Sequence, residues 1–142
     1  MRLNLKKNNN NVKISKVNSG DENWILLLYN YYLRKNLYLS KTIVSRENHK
    51  IWFSKKRKQF FIKISKNKTN FGYMRIEKSN VIKNAFLISI AVKKNYTNHG
   101  YGKYLLNTGI KKFKKIRKSF KNTHILAIVK KKNLMSKKFF MS

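Results

Sequence analysis

The sequence predicts one three-layer domain of mixed α/β class, its elements in the order β-αα-βββ-α-β-α, and three patterns carry that prediction. "QFFIKISK" and "NFGYMRIEK" alternate apolar and polar residues, the period of half-buried strands. "GYGKYLLNTGIKKF" instead repeats its apolar residues every three or four positions, which gathers them on one face of a helix. "AFLISIAV" and "ILAIV" are nearly unbroken apolar runs, expected of strands covered by helices on both faces of a sheet.

Taken in order, residues 1–10 form a basic, Asn-rich stretch expected to be a flexible tail of a single domain spanning 1–142. "NVKISKVN" reads as the first strand through Val12 and Ile14. Ser19 with Glu22 three residues on is a capping-box pattern for a helix whose apolar face carries Trp24, Leu27, Leu28 and Tyr31. After the polar joint "NLYLSKT", Ser45 caps a second helix on which His49, Trp52 and Phe53 share a face. Two strands then flank "NKTN", a hairpin turn, and a second polar turn near 79–84 leads into "AFLISIAV". The amphipathic helix, the strand "THILAIVKK" and a last helix in "NLMSKKFFMS" complete the order.

The formal net charge is +31, from 35 Lys and Arg against 4 Asp and Glu. Such a charge binds polyanions nonspecifically at low salt. Lysine is nonetheless spread over nearly every segment, together with abundant Asn and Ile and no proline, a mixture that reads as AT-rich codon usage rather than a selected nucleic-acid face. No apolar run approaches the ~18 residues of a membrane span, no signal-type apolar core follows the N-terminus, and cysteine is absent. The expected place is the cytoplasm. Three histidines without ligand spacing to carboxylates give no reason to expect a metal.

Two of only five glycines, Gly100 and Gly102, stand two positions apart where a buried strand hands over to a helix. A helix start presents backbone N–H groups without internal partners and the positive end of the macrodipole. Glycines there let an anion such as a pyrophosphate sit on those amides. They equally permit a tight turn and close helix packing, and spacing alone does not separate the two readings.

"FLISIAVKKNYTNHGYGKYLL" resembles the central motif of the GCN5-related N-acetyltransferases (GNAT): a buried strand, an Arg/Gln-x-x-Gly-x-Gly/Ala loop, then an amphipathic helix. Thr97 stands where Arg or Gln is usual. "ILAIVKKKNLMSKKFF" resembles the family's next motif, a strand followed by Asn-x-x-Ser/Ala on a helix. The resemblance implies a GNAT-like, mostly antiparallel sheet with helices on both faces, lacking the usual last two strands, and acetyl-CoA as acyl donor. Ile90 and Val92 would pair their backbone with the pantetheine arm. Asn98, His99, Gly100, Gly102 and Lys103 would surround the pyrophosphate, and Asn133 would lie near the thiol. Family catalysis is direct attack of an amine on the thioester, whose carbonyl is polarised by backbone N–H at a strand bulge. The family's strand glutamate and last-helix tyrosine correspond to Leu87 and Phe140, which carry no proton, so no catalytic side chain is named.

A narrower resemblance links "RKNLYLSKTIVSRENHKIWF" and "FGYMRI" to acetyltransferases of nucleotide-linked amino sugars, such as those of pseudaminic acid synthesis. It implies His49 and Arg75 on the acceptor side. From the residues alone, His49 reads first as a packing histidine, Arg75 has an alternative as a cross-strand surface partner, and Glu47 and Glu77 read first as partners of nearby lysines and second as anchors for an amine. The expected activity is acetyl transfer to a primary amine, best a nucleotide-linked amino sugar. The alternatives are a protein N-terminal or small-amine acetyltransferase, a truncated CoA-binding remnant, or a basic nucleic-acid-associated protein. A homodimer would cover the sheet edge left by the shortened C-terminus.

Overall fold

The computed structural model describes residues 11–35, 43–117, 123–128 and 133–141. The tail 1–10, the joint 36–42 and the strand's continuation past Ile128 lie outside the described residues. Five strands, β1 (Val12–Lys16), β2 (Phe60–Lys66), β3 (Thr69–Lys78), β4 (Ala85–Val92) and β5 (His124–Leu126), form one sheet in the order β1-β2-β3-β4-β5. Neighbours are antiparallel except β4 and β5, which run parallel and are joined through a helix, as parallel pairs require. Helices α1 (Glu22–Arg34) and α2 (Arg46–Lys56) cover one face, and α3 (Tyr101–Ile116) with α4 (Leu134–Met141) packs on the other. The order and the three layers are those the sequence predicts.

The alternation of the strands explains two apolar clusters. Ile62, Ile64, Met74, Ile76 and Phe86 point to α3 and meet Leu105, Leu106 and Phe113. The residues between them, Phe61, Tyr73 and Ala91, point the other way onto Ile25, Leu28 and Phe53. The hairpin turns on Asn67 and Lys68, both at left-handed φ of 50° and 66°, the geometry of a two-residue type I′ turn. Ser45 caps α2 as predicted, its Oγ accepting from the Asn48 N–H at 3.2 Å.

Two local expectations are corrected. The capping box is one residue earlier than Ser19/Glu22. Asn18 Oδ1 accepts from the Gly20 N–H at 2.9 Å, and the Asn18 N–H donates to Asp21 Oδ2 at 2.8 Å. A short 3-10 turn, Ser19–Asp21, therefore precedes α1. Asp21 is also the hub that ties this turn to the sheet: the Trp24 indole N–H donates to Oδ1 at 2.9 Å, and so does Lys63 Nζ from β2. The buried face of α1 is rotated as well. Ile25, Leu26, Leu28 and Leu33 are buried, whereas Leu27 is 70% exposed.

Gly109 sets how closely α3 approaches the sheet. A Cβ there would stand 2.3 Å from Met74 Sδ and 3.1 Å from Ile62 Cδ1. Gly109→Val is expected to lower stability by about 1–3 kcal/mol in urea unfolding, because the core has no room for the added methyls.

Asp21 generates a pH dependence. Burial disfavours its charge, but the Asn18 N–H, the Trp24 indole and Lys63 outweigh that and hold its carboxyl below the ordinary 3.8. A depressed native pKa contributes stability above the unfolded value and loses it as pH falls toward the native one. Asp21→Ala is expected to lower stability at neutral pH by about 1.5–3 kcal/mol. In the same urea series at pH 7 and pH 3, the variant should lie closer to wild type at pH 3.

Candidate active site

The start of α3 is built on backbone. Asn98 and Gly100 both take left-handed φ, 62° and 85°, which turns the chain sharply after the short 3-10 turn Lys94–Tyr96. Gly100 is the N-cap and supplies no side-chain bond, and the helical ladder opens with the Tyr104 N–H on the Gly100 carbonyl at 3.0 Å. The first turn thus leaves amides for an outside acceptor, at the positive end of a 16-residue helix. A Cβ on Gly100 would meet nothing within 4 Å, so the approach is open. An aromatic stack holds the loop: Tyr96 lies flat on Phe71 at 4.1 Å, and Tyr101 meets the same ring edge-on at 5.0 Å.

Gly102 has a different reason for being glycine. Its Cβ would stand 3.1 Å from the Phe139 ring of α4 and 3.9 Å from Val92, so the missing side chain serves helix packing. The phosphate and packing readings therefore divide between the two glycines: Gly100 borders open space and Gly102 a neighbouring helix. Lys103 reaches toward the same place, with Nζ 4.7 Å from the Phe139 ring centre. Asn98 and His99 are exposed on the loop.

Beside this helix start, β4 and β5 part company. Their parallel pairing covers only Ala85–Leu87 against His124–Leu126, while β4 runs on to Val92. The Lys93 N–H donates to the Phe71 carbonyl at 2.7 Å, toward β3. Strand alternation then turns the N–H and C=O groups of Ile88, Ile90 and Val92 away from β3, into the opening left by β5. The Val92 carbonyl there accepts from the Tyr32 hydroxyl, which reaches across from α1. Sequence reasoning missed Tyr32, because nothing local marks a contact across 60 residues. The β3–β4 register runs unbroken from Gly72↔Val92 to Lys78↔Phe86, so the bulge expected there is absent; the irregularity lies at Ile64/Ser65 in β2.

On the α1/α2 face the structure brings His49 and Arg75 together through Trp52. The imidazole stacks on the indole at 5.3 Å, and the Arg75 guanidinium lies over the same ring at 5.1 Å. His49 is 3% exposed and neither ring nitrogen finds a hydrogen-bond partner; Nδ1 lies 4.0 Å from Glu22 Oε1. Burial pushes its pKa below the ordinary 6.5 against the pull of Glu22, so the ring is neutral at pH 7. Arg75 sits 2.6 Å from Glu77 Oε1 and donates to Ser89 Oγ at 3.4 Å. Glu77 also pairs with Lys56; burial opposes its charge, but the two cations hold its carboxyl below the ordinary range. In register, Glu77 stands directly opposite Leu87, so a carboxylate enters from the neighbouring strand where Leu87 has none.

The α1 residues Trp24, Leu27, Leu28 and Tyr31 line an open cavity of about 250 Å³ together with Lys93, Lys94, Asn95 and Tyr96. The apolar stripe visible in the sequence thus faces a cavity as well as the core. Asn133 is the N-cap of α4: it is buried, and its Oδ1 accepts from the Ser136 N–H at 3.1 Å. Phe140 is half-buried against the α3 side of the core. Among the described residues there is no cluster of three His, Cys, Asp or Glu side chains, and no helix is long and apolar enough to cross a membrane.

The fold recurs in solved structures. An N-acetyltransferase from Staphylococcus aureus Mu50 superposes with a TM-score of 0.79 at 18% identity, over 92% of this chain and 81% of that one. The Salmonella typhimurium protein yncA, solved with its cofactor acetyl-CoA, gives 0.74 at 17% identity over 90% and 75%. A ribosomal-protein-alanine N-acetyltransferase from Brucella melitensis gives 0.74 at 18% over 91% and 81%. Comparison with curated protein sequences finds no match. Residues 25–141 match the acetyltransferase (GNAT) family, and with that match, the parted strands and the glycine-capped helix behind them, the chain belongs to this family of acetyl-CoA-dependent N-acetyltransferases.

Proposed function

We propose that this acetyltransferase modifies the primary amine of a nucleotide-linked amino sugar, with the donor held along β4 and at the start of α3. One observation carries the donor half: β4 continues for five residues past its last pair with β5, straight toward a helix whose N-cap is a bare, left-handed glycine. The residues fit the group, since Gly100 leaves open the space that a Cβ would enter.

Acetyl-CoA, when bound, supplies the activated acetyl group. The first amides of α3, with Asn98, His99, Gly100 and Lys103 around them, would receive the pyrophosphate. Gly102 would contribute its amide while making room for Phe139. The backbone of Ile90 and Val92 would align the pantetheine, and an N–H of β4 aimed into the gap would polarise the thioester carbonyl. Val92 has first to release the Tyr32 hydroxyl. Asn133, as the cap of α4, would border the thiol.

The acceptor reading rests on the α1 side. The cavity combines Trp24, Tyr31 and Tyr96 with Lys93 and Lys94, a set suited to a base and its phosphates. His49 supports this face from beneath through Trp52, and Arg75, with Glu77 neutralising much of its charge, would hydrogen-bond sugar oxygens rather than grip a phosphate alone. Glu77 would steady the incoming ammonium in place of Lys56.

Acetyl-CoA is expected to raise the melting temperature of the wild type, and its thiol should be released with a nucleotide-linked amino sugar faster than with N-terminal peptides or simple amines. Binding without release for any amine would leave a CoA-binding remnant. Release fastest with peptides would replace the sugar reading.

Two substitutions divide the site. Gly100→Val forces a branched residue into left-handed φ at the cap and should weaken acetyl-CoA binding at least about tenfold by calorimetry. Leu27→Glu, at an exposed position on the cavity rim, should raise the KM for the sugar nucleotide about tenfold by placing a negative charge beside its phosphates, leaving acetyl-CoA affinity within about twofold.

A further inference from the structure

The structure sorts the charge in a way the sequence hides. All four acidic side chains lie on the α1/α2 side of the sheet: Asp21 on Lys63, Glu22 at the start of α1, Glu47 in the first turn of α2 and Glu77 on Lys56. The α3 side carries only cations among the described residues. The acids, rather than the lysines, are sorted by folding: on one face no acidic side chain among the described residues balances the cations.

That face holds a groove of about 800 Å³ between β1–β2 and the C-terminal half of α3. Lys16 and Lys58 line its sheet side, and Lys112, Lys115 and Arg117 its helix side, all exposed. Its apolar lining is Ile14, the half-buried Phe60 and the buried Phe113, with Ile116, 74% exposed, at the rim. The C-terminal dipole of α3 accounts for basic residues in its last turn, but not for Lys16 and Lys58 facing them from another element. The groove lies at the end of α3 opposite Gly100, about 24 Å along a 16-residue helix, and shares no residue with the candidate active site.

We propose that this groove binds a single-stranded stretch of nucleic acid, its phosphates between the two rows of cations and its bases over Phe60 and Ile116. A concave, basic track with an apolar and aromatic lining suits a flexible strand with exposed base faces. A stiff duplex is convex and would touch only the rim. A small anion would have no use for the apolar lining.

The test separates this groove from the charge of the whole surface. A labelled oligouridine of about 12 nucleotides is titrated with wild type, with K112E/K115E on the groove, and with K50E/K55E on the exposed face of α2, at about 0.15 M salt. The two double variants change net charge equally. The groove pair should weaken binding at least about tenfold and flatten the salt dependence, while the α2 pair stays within about threefold. Should K112E/K115E not fold, Ile116→Glu at its exposed position takes its place with the same expected direction. Equal losses in both pairs, or no binding by wild type at this salt, would overturn the proposal. So would equal competition by an acidic peptide of the same charge, which would make the occupant a protein segment.

Discussion

Everything in this structure is arranged around the parting of two parallel strands. While β4 and β5 stay paired, their backbone groups satisfy one another; past Leu126, β4 presents N–H and C=O groups with no paired strand among the described residues. An edge of that kind in the middle of a sheet is costly unless something takes it up. Here part of the demand is met by the Tyr32 hydroxyl on the Val92 carbonyl. The rest defines where an extended, amide-bearing ligand belongs.

The helix behind the opening follows from the same constraint. A chain leaving β4 at Val92 must reverse within a few residues to lay α3 over the sheet. The reversal is made by left-handed Asn98 and Gly100 and steadied by the Phe71–Tyr96–Tyr101 stack. Gly109 then lets α3 settle onto Met74, and Gly102 lets Phe139 of α4 close against its first turn. Each glycine answers a separate demand, and together they fix the helix start relative to the gap.

Element order, layering, the hairpin and the α2 cap were legible from periodicity and turn residues, because each depends on neighbours within a few positions. What sequence reasoning misplaced lay at the margins. The capping box moved from Ser19/Glu22 to Asn18/Asp21, since Asp21 is recruited by Lys63 from another element. Leu27 belongs to the periodic stripe of α1 but faces a cavity, because periodicity gives a helix face and not what lies opposite it. The site was half legible. The glycine loop could be read as a local motif, whereas the Tyr32–Val92 contact, the His49–Trp52–Arg75 stack and the Glu77–Leu87 register join distant segments. The separation of acids from the α3 face was invisible for the same reason: it exists only after folding.

The most direct measurement is the backbone amide spectrum of the wild type titrated with acetyl-CoA. The account predicts that the largest shifts fall on the N–H groups of Tyr101 and Gly102 at the start of α3 and of Ile88 and Ile90 along the open edge of β4, with the Tyr32 hydroxyl leaving Val92. Shifts concentrated elsewhere, or none at saturating ligand, would contradict it.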